Sequence, residues 1–471
     1  MLLLFRNTKI FQVLLLVFFF LAIRLPIYWS GSPLLISELG WMLTGEQLSK
    51  GFMLYRDIWE NISILSGMVY WGIDVLFGRS VVAYHVIALA IGIFQVLYFN
   101  YLCTSRDFFP EASTIPGLVY AVLLNLSYDM FTLSPMLMAT SFLLLAIGVI
   151  AKMIDRPEVS DEIFEAGLYI GVATLFYLPS CVFYIWAFMM MILYTGATFR
   201  HHMIGLFGSG FPLLMVALVF FLNNAMESLN RSLIATAIQI PGLKASEIIP
   251  FLVYFAFPVG LGVAGFLKLF GFNRFTHYQT RIQQVMAFWF IVSALTIPFM
   301  ESLVPMNFIV FLPAIAYFVS WFFLGIRKAV RAEAIFLAYF VVTLSVLYQD
   351  VFHVIPGIPF DGIDRRIAKP ALLPETINGK KILVLGEDEG EYLNNFAATP
   401  YLNWSLSVYD FENLDSFESV IHIQRNFEKD PPEFVIDKEG VMPKLFERIP
   451  ELREKYKATA WKNIYQQNAG T

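Results

Sequence analysis

The chain has 471 residues, of which 58% are aliphatic or aromatic and only 15% are charged, with a mean hydropathy of +0.65. A soluble domain averages about 25% charged residues, so most of this length is not soluble globular sequence, and a net charge of −5 without a basic stripe argues against a nucleic-acid partner. Cys103 and Cys181 both lie in apolar runs, which leaves no disulfide framework and no zinc spacing.

In chain order, Arg6 and Lys9 precede an apolar run that continues past Arg24. It resembles a signal peptide, but no small-residue cleavage site follows, so it reads as an uncleaved first span. Crossing about 30 Å of hydrocarbon takes roughly 20 apolar residues. On that basis eleven spans are expected, at 10–29, 82–103, 112–127, 133–152, 164–178, 181–197, 204–222, 248–268, 284–301, 306–325 and 332–349. With the N-terminus cytoplasmic, twelve Lys and Arg fall in the inside loops and five outside, in line with the positive-inside rule. The odd span count then puts the C-terminus outside.

The segment 30–81 is therefore expected at the extracytoplasmic surface. Within it, residues 34–50 carry apolar side chains at Leu35, Leu39, Met42, Leu43 and Leu48, which suits an interfacial helix. Residues 62–77 are apolar but too short for an ordinary span, so a re-entrant or interfacial helix is predicted. A second long outer loop, 223–247, carries Arg231 and Lys244. About half of the charged side chains follow Gln349, in the last quarter of the chain. The sequence thus divides into a membrane domain over 1–349, a Pro- and Gly-rich linker over 350–380, and a soluble α/β domain over 381–471. Residues 381–385 and 433–437 read as buried strands, 411–427 and 444–456 as helices, and 461–465 as a last strand.

The first outer loop holds the densest chemistry: Ser37-Glu38-Leu39-Gly40-Trp41, then Gly51-Phe52-Met53-Leu54-Tyr55-Arg56-Asp57-Ile58-Trp59-Glu60-Asn61. No P-loop, dinucleotide fingerprint or His-Glu-x-x-His motif accompanies it. The strand ending at Gly386, followed by Glu387-Asp388-Glu389-Gly390, has one glycine too few and too much acid to bind a pyrophosphate. Asp57 also suits an N-cap for a helix starting at Ile58. Arg24, inside an apolar run, is a costly intramembrane charge that either reaches the interface or pairs with Glu38. Trp41, Tyr55 and Trp59 suit either an aromatic belt or stacking on substrate.

This order of features resembles the GT-C glycosyltransferases, polytopic enzymes that use polyprenyl-phosphate sugars and include protein mannosyltransferase and aminoarabinose transferase branches. One span comes first, then an acid. A Gly-x-x-x-Tyr-basic-Asp-x-Trp-acid-Asn run follows, and then a helix ending in Leu76-Phe77-Gly78-Arg79-Ser80. The late segment Pro305-Met306-Asn307-Phe308 leading to Leu312-Pro313 fits as well, and so does the small C-terminal domain. The chain departs from the family pattern at Asn61-Ile62-Ser63-Ile64, where many relatives read Asn-Lys-Pro-Pro. It departs again at Tyr84-His85, where Arg is frequent, and at Met306, Asn307 and Phe308, where Arg, His or Tyr often stand.

The resemblance implies a GT-C-like membrane domain, a lipid-linked sugar donor and inverting transfer to an acceptor at the extracytoplasmic face. Glu38 takes the position of the family's catalytic acid, the general base for the acceptor hydroxyl, with Asp57 as its partner. Arg56, Arg79 and Lys50 are the implied donor-phosphate contacts. Arg24, Trp41, Tyr55, Trp59, His85, Arg231 and Lys244 are further candidate substrate contacts. No cofactor and no metal is expected, although Glu38 with Asp57 offers a cation two carboxylates. The expected location is a bacterial inner (plasma) membrane. The lost basic residues give an alternative reading, a non-catalytic GT-C-like scaffold of a cell-envelope complex. A transporter is a weaker third, because the span interiors are nearly free of ionisable groups.

Overall fold

A computed structural model describes residues 1–155, 160–194, 196–235, 245–271, 275–300, 302–354, 363–371, 373–387 and 389–468. The chain forms two compact units, one from Met1–Ser32, Val82–Val219 and Ile238–Arg365, the other from Pro33–Val81, Phe220–Ala237 and Arg366–Thr471.

Among the described residues, eight helices are long and apolar enough to cross a membrane: Ile10–Trp29, Val81–Ser105, Pro135–Ile154, Phe199–Leu222, Ile248–Leu269, His277–Phe299, Pro305–Leu324 and Ala329–Phe352. The chain is an integral membrane protein. Three other expected spans form shorter elements. Residues 112–127 give the nine-residue helix Ile115–Leu123, 164–178 give Ser160–Phe176, and 181–197 give a turn and helix over Leu178–Tyr194. Every residue of Ile115–Leu123 is buried. A helix enclosed by protein is apolar all round, just as one in lipid is, so hydropathy cannot separate the two.

Within the first unit, Pro135–Ile154 and Pro305–Leu324 are the most enclosed of the long helices. Ser160–Phe176 lies close against Phe199–Leu222 because Gly167 and Gly171 leave room. A Cβ at Gly167 would stand 2.2 Å from the Gly205 carbonyl oxygen, and one at Gly171 would stand 2.3 Å from that of Ser209. Small residues that let backbones touch are a usual route to association where lipid removes any hydrophobic gain.

The second unit is built on a five-stranded sheet in the order β2-β1-β3-β5-β4, from β1 (Lys381–Leu385), β2 (Phe396–Ala397), β3 (Phe434–Asp437), β4 (Tyr456–Ala458) and β5 (Ile464–Gln467). β1 runs parallel to β2 and β3, whereas β5 is antiparallel to both β3 and β4. β1 and β3 are buried almost throughout, as expected for strands covered on both faces. Alternate residues go to opposite sides. Leu383, Leu385 and Val435 meet Phe411, Ile423, Phe427 and Leu445 from the C-terminal helices. Ile382, Val384, Phe434 and Ile436 meet Leu39, Leu43, Leu54 and Ile58 from the loop that follows the first span.

The loop itself carries helices at Ile36–Ser49 and Ile64–Phe77, inside the ranges expected from sequence. Leu39 and Leu43 are spaced i,i+4, so they present one face to the sheet. Leu35 and Ile367 form an antiparallel bridge, and the Ile36 amide donates to the Arg366 carbonyl at 2.8 Å. Helical sequence over 411–427 is split by Asn413–Ser416 into Trp404–Glu412 and Phe417–Lys429. Pro450 likewise restarts 444–456 as two short helices, Met442–Arg448 and Pro450–Lys455, since a proline within a helix removes a backbone hydrogen bond. Tyr456 then opens β4, and the last strand falls slightly later than expected.

Candidate functional site

Glu38 stands in the first turn of Ile36–Ser49 and is fully buried, and its Oε2 accepts the Leu35 backbone N–H at 3.1 Å. A carboxylate at a helix N-terminus is favoured by the dipole and by the orphan amides there. The hydrogen bond back to the residue before the helix is half of a capping arrangement.

Asp57 caps no helix: the next helix begins at Ile64, and Asp57 instead accepts the Met53 amide into Oδ2 at 3.0 Å. Arg56 Nη2 lies 2.9 Å from Oδ2, and Lys429 Nζ lies 2.5 Å from Oδ1. Burial alone would raise the Asp57 carboxyl, but Arg56, Lys429 and the Met53 N–H outweigh it and hold the group below the usual aspartate range. A carboxylate so neutralised is a poor general base.

The other implied phosphate contacts are paired as well. Lys50 Nζ sits 2.6 Å from Glu46 Oε1, and Arg79 reaches Glu46 Oε2 at 2.5 Å while donating from Nη1 to the Tyr392 carbonyl at 2.9 Å. Both cations also lie over the Phe396 ring, at 5.2 and 5.6 Å. The Glu46–Lys50 pair was readable in the sequence from its i,i+4 spacing. Lys429 carried no such signal, being 372 positions from Asp57.

The aromatic candidates separate. Trp41 is buried and stacked on Tyr70, 5.5 Å apart and 7° from parallel, so it joins the two loop helices. Tyr55, at φ 68°, donates its hydroxyl to the Ile62 carbonyl at 2.8 Å and lies 6.0 Å from the Phe220 ring. Burial raises its hydroxyl above the ordinary range. Trp59 has the Arg231 guanidinium over its ring at 4.9 Å, and the two line a pocket of about 60 Å³ with Tyr55, Glu60, Ser228 and Ser232. Arg231 Nη2 is also 3.5 Å from Asp410 Oδ1. Burial lifts Asp410 above the ordinary aspartate range, with Arg231 and His422 pulling it the other way. Sequence reasoning passed over Asp410, because nothing local marks a helical aspartate as buried. Lys244 lies outside the described residues.

In the first unit, Arg24 is fully buried five residues from the end of Ile10–Trp29. Its Nε donates to Asn125 Oδ1 at 2.9 Å and its Nη2 to the Leu124 carbonyl at 3.1 Å, between the rings of Phe20 and Phe131. It neither snorkels nor pairs with a carboxylate among the described residues of this unit. His85 is buried close by, with Tyr28 at 5.7 Å and Tyr128 at 5.9 Å. Among the described residues, no group of three or more His, Cys, Asp or Glu comes together to hold a metal ion.

The fold is similar to that of solved archaeal oligosaccharyltransferases, in line with the GT-C-like architecture expected from the sequence. The chain superposes over 97% of its length on 73% of the archaeal oligosaccharyltransferase AglB from Archaeoglobus fulgidus, solved with an inhibitory peptide and a dolichol-phosphate, at a TM-score of 0.53 and 11% identity. The apo form of an Archaeoglobus fulgidus oligosaccharyltransferase gives a TM-score of 0.51 at 10% identity, with 91% of this chain and 69% of that one covered. No protein-family model and no curated protein sequence matches the chain.

Proposed function

We propose that the protein is a membrane glycosyltransferase that moves a sugar from a polyprenyl-phosphate donor to an acceptor at the extracytoplasmic face, with inversion at the anomeric carbon. The likeness to AglB over nearly the whole chain is the observation that carries this reading. Glu38 acts as the general base. It takes the proton of the acceptor hydroxyl while that oxygen bonds to the anomeric carbon and the polyprenyl phosphate departs with the electron pair of the broken C–O bond. Asp57, held by Arg56 and Lys429, keeps the loop in shape rather than accepting a proton. The departing phosphate needs a cation. Arg24 is a basic candidate for that role, since among the described residues of its own unit it donates only to neutral acceptors. The reading requires no metal.

The test is transfer from a polyprenyl-phosphate sugar by purified Glu38→Gln protein. Loss of about 100-fold or more in rate, with thermal stability retained, is expected. Unchanged transfer overturns the assignment.

One observation favours a second reading, a non-catalytic envelope scaffold: Lys50, Arg56 and Arg79 are all already paired with carboxylates. A scaffold predicts that Glu38→Gln leaves the envelope phenotype intact while deletion of the protein does not.

A further inference from the structure

We infer that the C-terminal sheet carries a binding cleft for a neutral saccharide, separate from the transfer site and independent of the reading above. The cleft has a volume of about 800 Å³, within the range of small-molecule sites. Its wall includes Glu387, just past the end of β1, and Glu439, Gly440 and Val441, just past the end of β3. Since β1 and β3 run parallel, the cleft opens at the carboxyl ends of adjacent parallel strands, where open α/β sheets bind ligands.

The wall is held firmly. Asp437 Oδ1 and Oδ2 accept the Val441 and Met442 amides at 2.9 and 2.8 Å, which fixes the turn after β3. The Asn403 side chain caps Trp404–Glu412 through the Leu406 amide at 3.3 Å. Arg448 Nε is tied to the Leu414 carbonyl at 2.8 Å.

Trp404, half-buried and backed on one face by the buried Phe411 ring at 5.8 Å and 22°, supplies an apolar platform with its other face. A sugar ring presents a face of C–H groups to such a platform and needs donors and acceptors together around its hydroxyls. Lys444 and the part of the Arg448 guanidinium not spent on Leu414 and Asp415 give donors, while the Ser405 hydroxyl, which donates to Asn403, and the acidic side chains give acceptors. The formal charge of the lining is negative: Glu387, Glu412, Asp415, Glu439 and Glu447 stand against Lys444 and Arg448. That balance repels phosphates, nucleotides and acidic sugars, so the cleft does not suit a lipid-phosphate donor. An uncharged glycan meets both the platform and the polar rim without a charge penalty.

The experiment uses the full chain in lipid nanodiscs prepared without glycosidic detergent. Saturation-transfer NMR and tryptophan fluorescence are followed with methyl α-mannoside, maltose, glucose 6-phosphate and spermidine as probes. Saturable binding of a neutral saccharide at about 1–10 mM is expected, with glucose 6-phosphate at least about tenfold weaker. Trp404→Ala is expected to lose about tenfold in affinity, and Trp404→Phe to restore most of it. Should Trp404→Ala fail to fold, Glu439→Arg on the rim, judged by a several-fold loss, takes its place. Absence of neutral-saccharide binding overturns the proposal. So does binding that none of these substitutions weakens, or uptake of spermidine alone.

Discussion

Lys429, at the end of a C-terminal helix, ion-pairs with Asp57 of the loop after the first span across 372 positions of sequence. The pair joins the two parts of the chain whose side chains share a core on one face of the sheet, Leu39, Leu43 and Ile58 against Ile382, Val384 and Ile436. The loop is therefore a structural layer of the C-terminal domain, shaped by burial rather than by the membrane surface alone.

Asp57→Asn is expected to cost about 1–3 kcal/mol, because it strips a buried carboxylate from Arg56, Lys429 and the Met53 amide. Lys429→Met is expected to cost about 1 kcal/mol or less, since the lysine is half exposed and Arg56 stays in place. The folded Asp57 carboxyl lies below its unfolded value, so its stabilisation is present above the ordinary aspartate range and lost as pH falls through the folded value. Thermal unfolding of wild type and Asp57→Asn should therefore converge in acid. A constant gap down to strongly acidic pH contradicts the assignment.

Asp410→Asn should act in the opposite sense. The folded Asp410 carboxyl is raised, so the fold gains stability from its proton at low pH and loses that gain as pH rises through the folded value. The asparagine variant should have the higher thermal midpoint at neutral pH, with the difference fading toward about pH 4. A variant that melts lower at pH 7 would show that the Arg231 contact, 3.5 Å long, outweighs desolvation.

Leu43→Ala tests whether the loop belongs to the sheet. Leu43 is buried in the shared core, and truncation there is expected to cost about 2–5 kcal/mol. Limited proteolysis should then release the loop near residues 50–61 and loosen the C-terminal domain together. If the loop is cut while the C-terminal domain keeps wild-type resistance, the common core is not cooperative.

Arg24→Gln and Arg56→Gln should separate in kinetics. Among the described residues of its unit Arg24 meets only neutral acceptors, and removing it should raise the KM for a polyprenyl-phosphate donor or lower kcat by about tenfold or more. Arg56 is committed to Asp57, so its loss should lower stability with the donor KM nearly unchanged. Equal kinetic effects in the two variants would return Arg56 to the list of phosphate contacts.

The sequence by itself determined that this chain lives in a membrane, because long apolar helices have no other stable solvent. It determined the two loop helices and the two central strands as well, because the length and composition of an apolar run distinguish an interfacial helix from a short, fully buried strand. The positions of Glu38, Asp57 and the basic residues around them could be read directly, but not their partners. Only the tertiary structure decided that Asp57 is neutralised by Lys429, that Trp41 serves packing, and that Ile115–Leu123 is enclosed by protein rather than by lipid. The reason is common to all three. Hydropathy and spacing report how much a residue avoids water, whereas which charge or ring meets it depends on contacts between segments hundreds of positions apart.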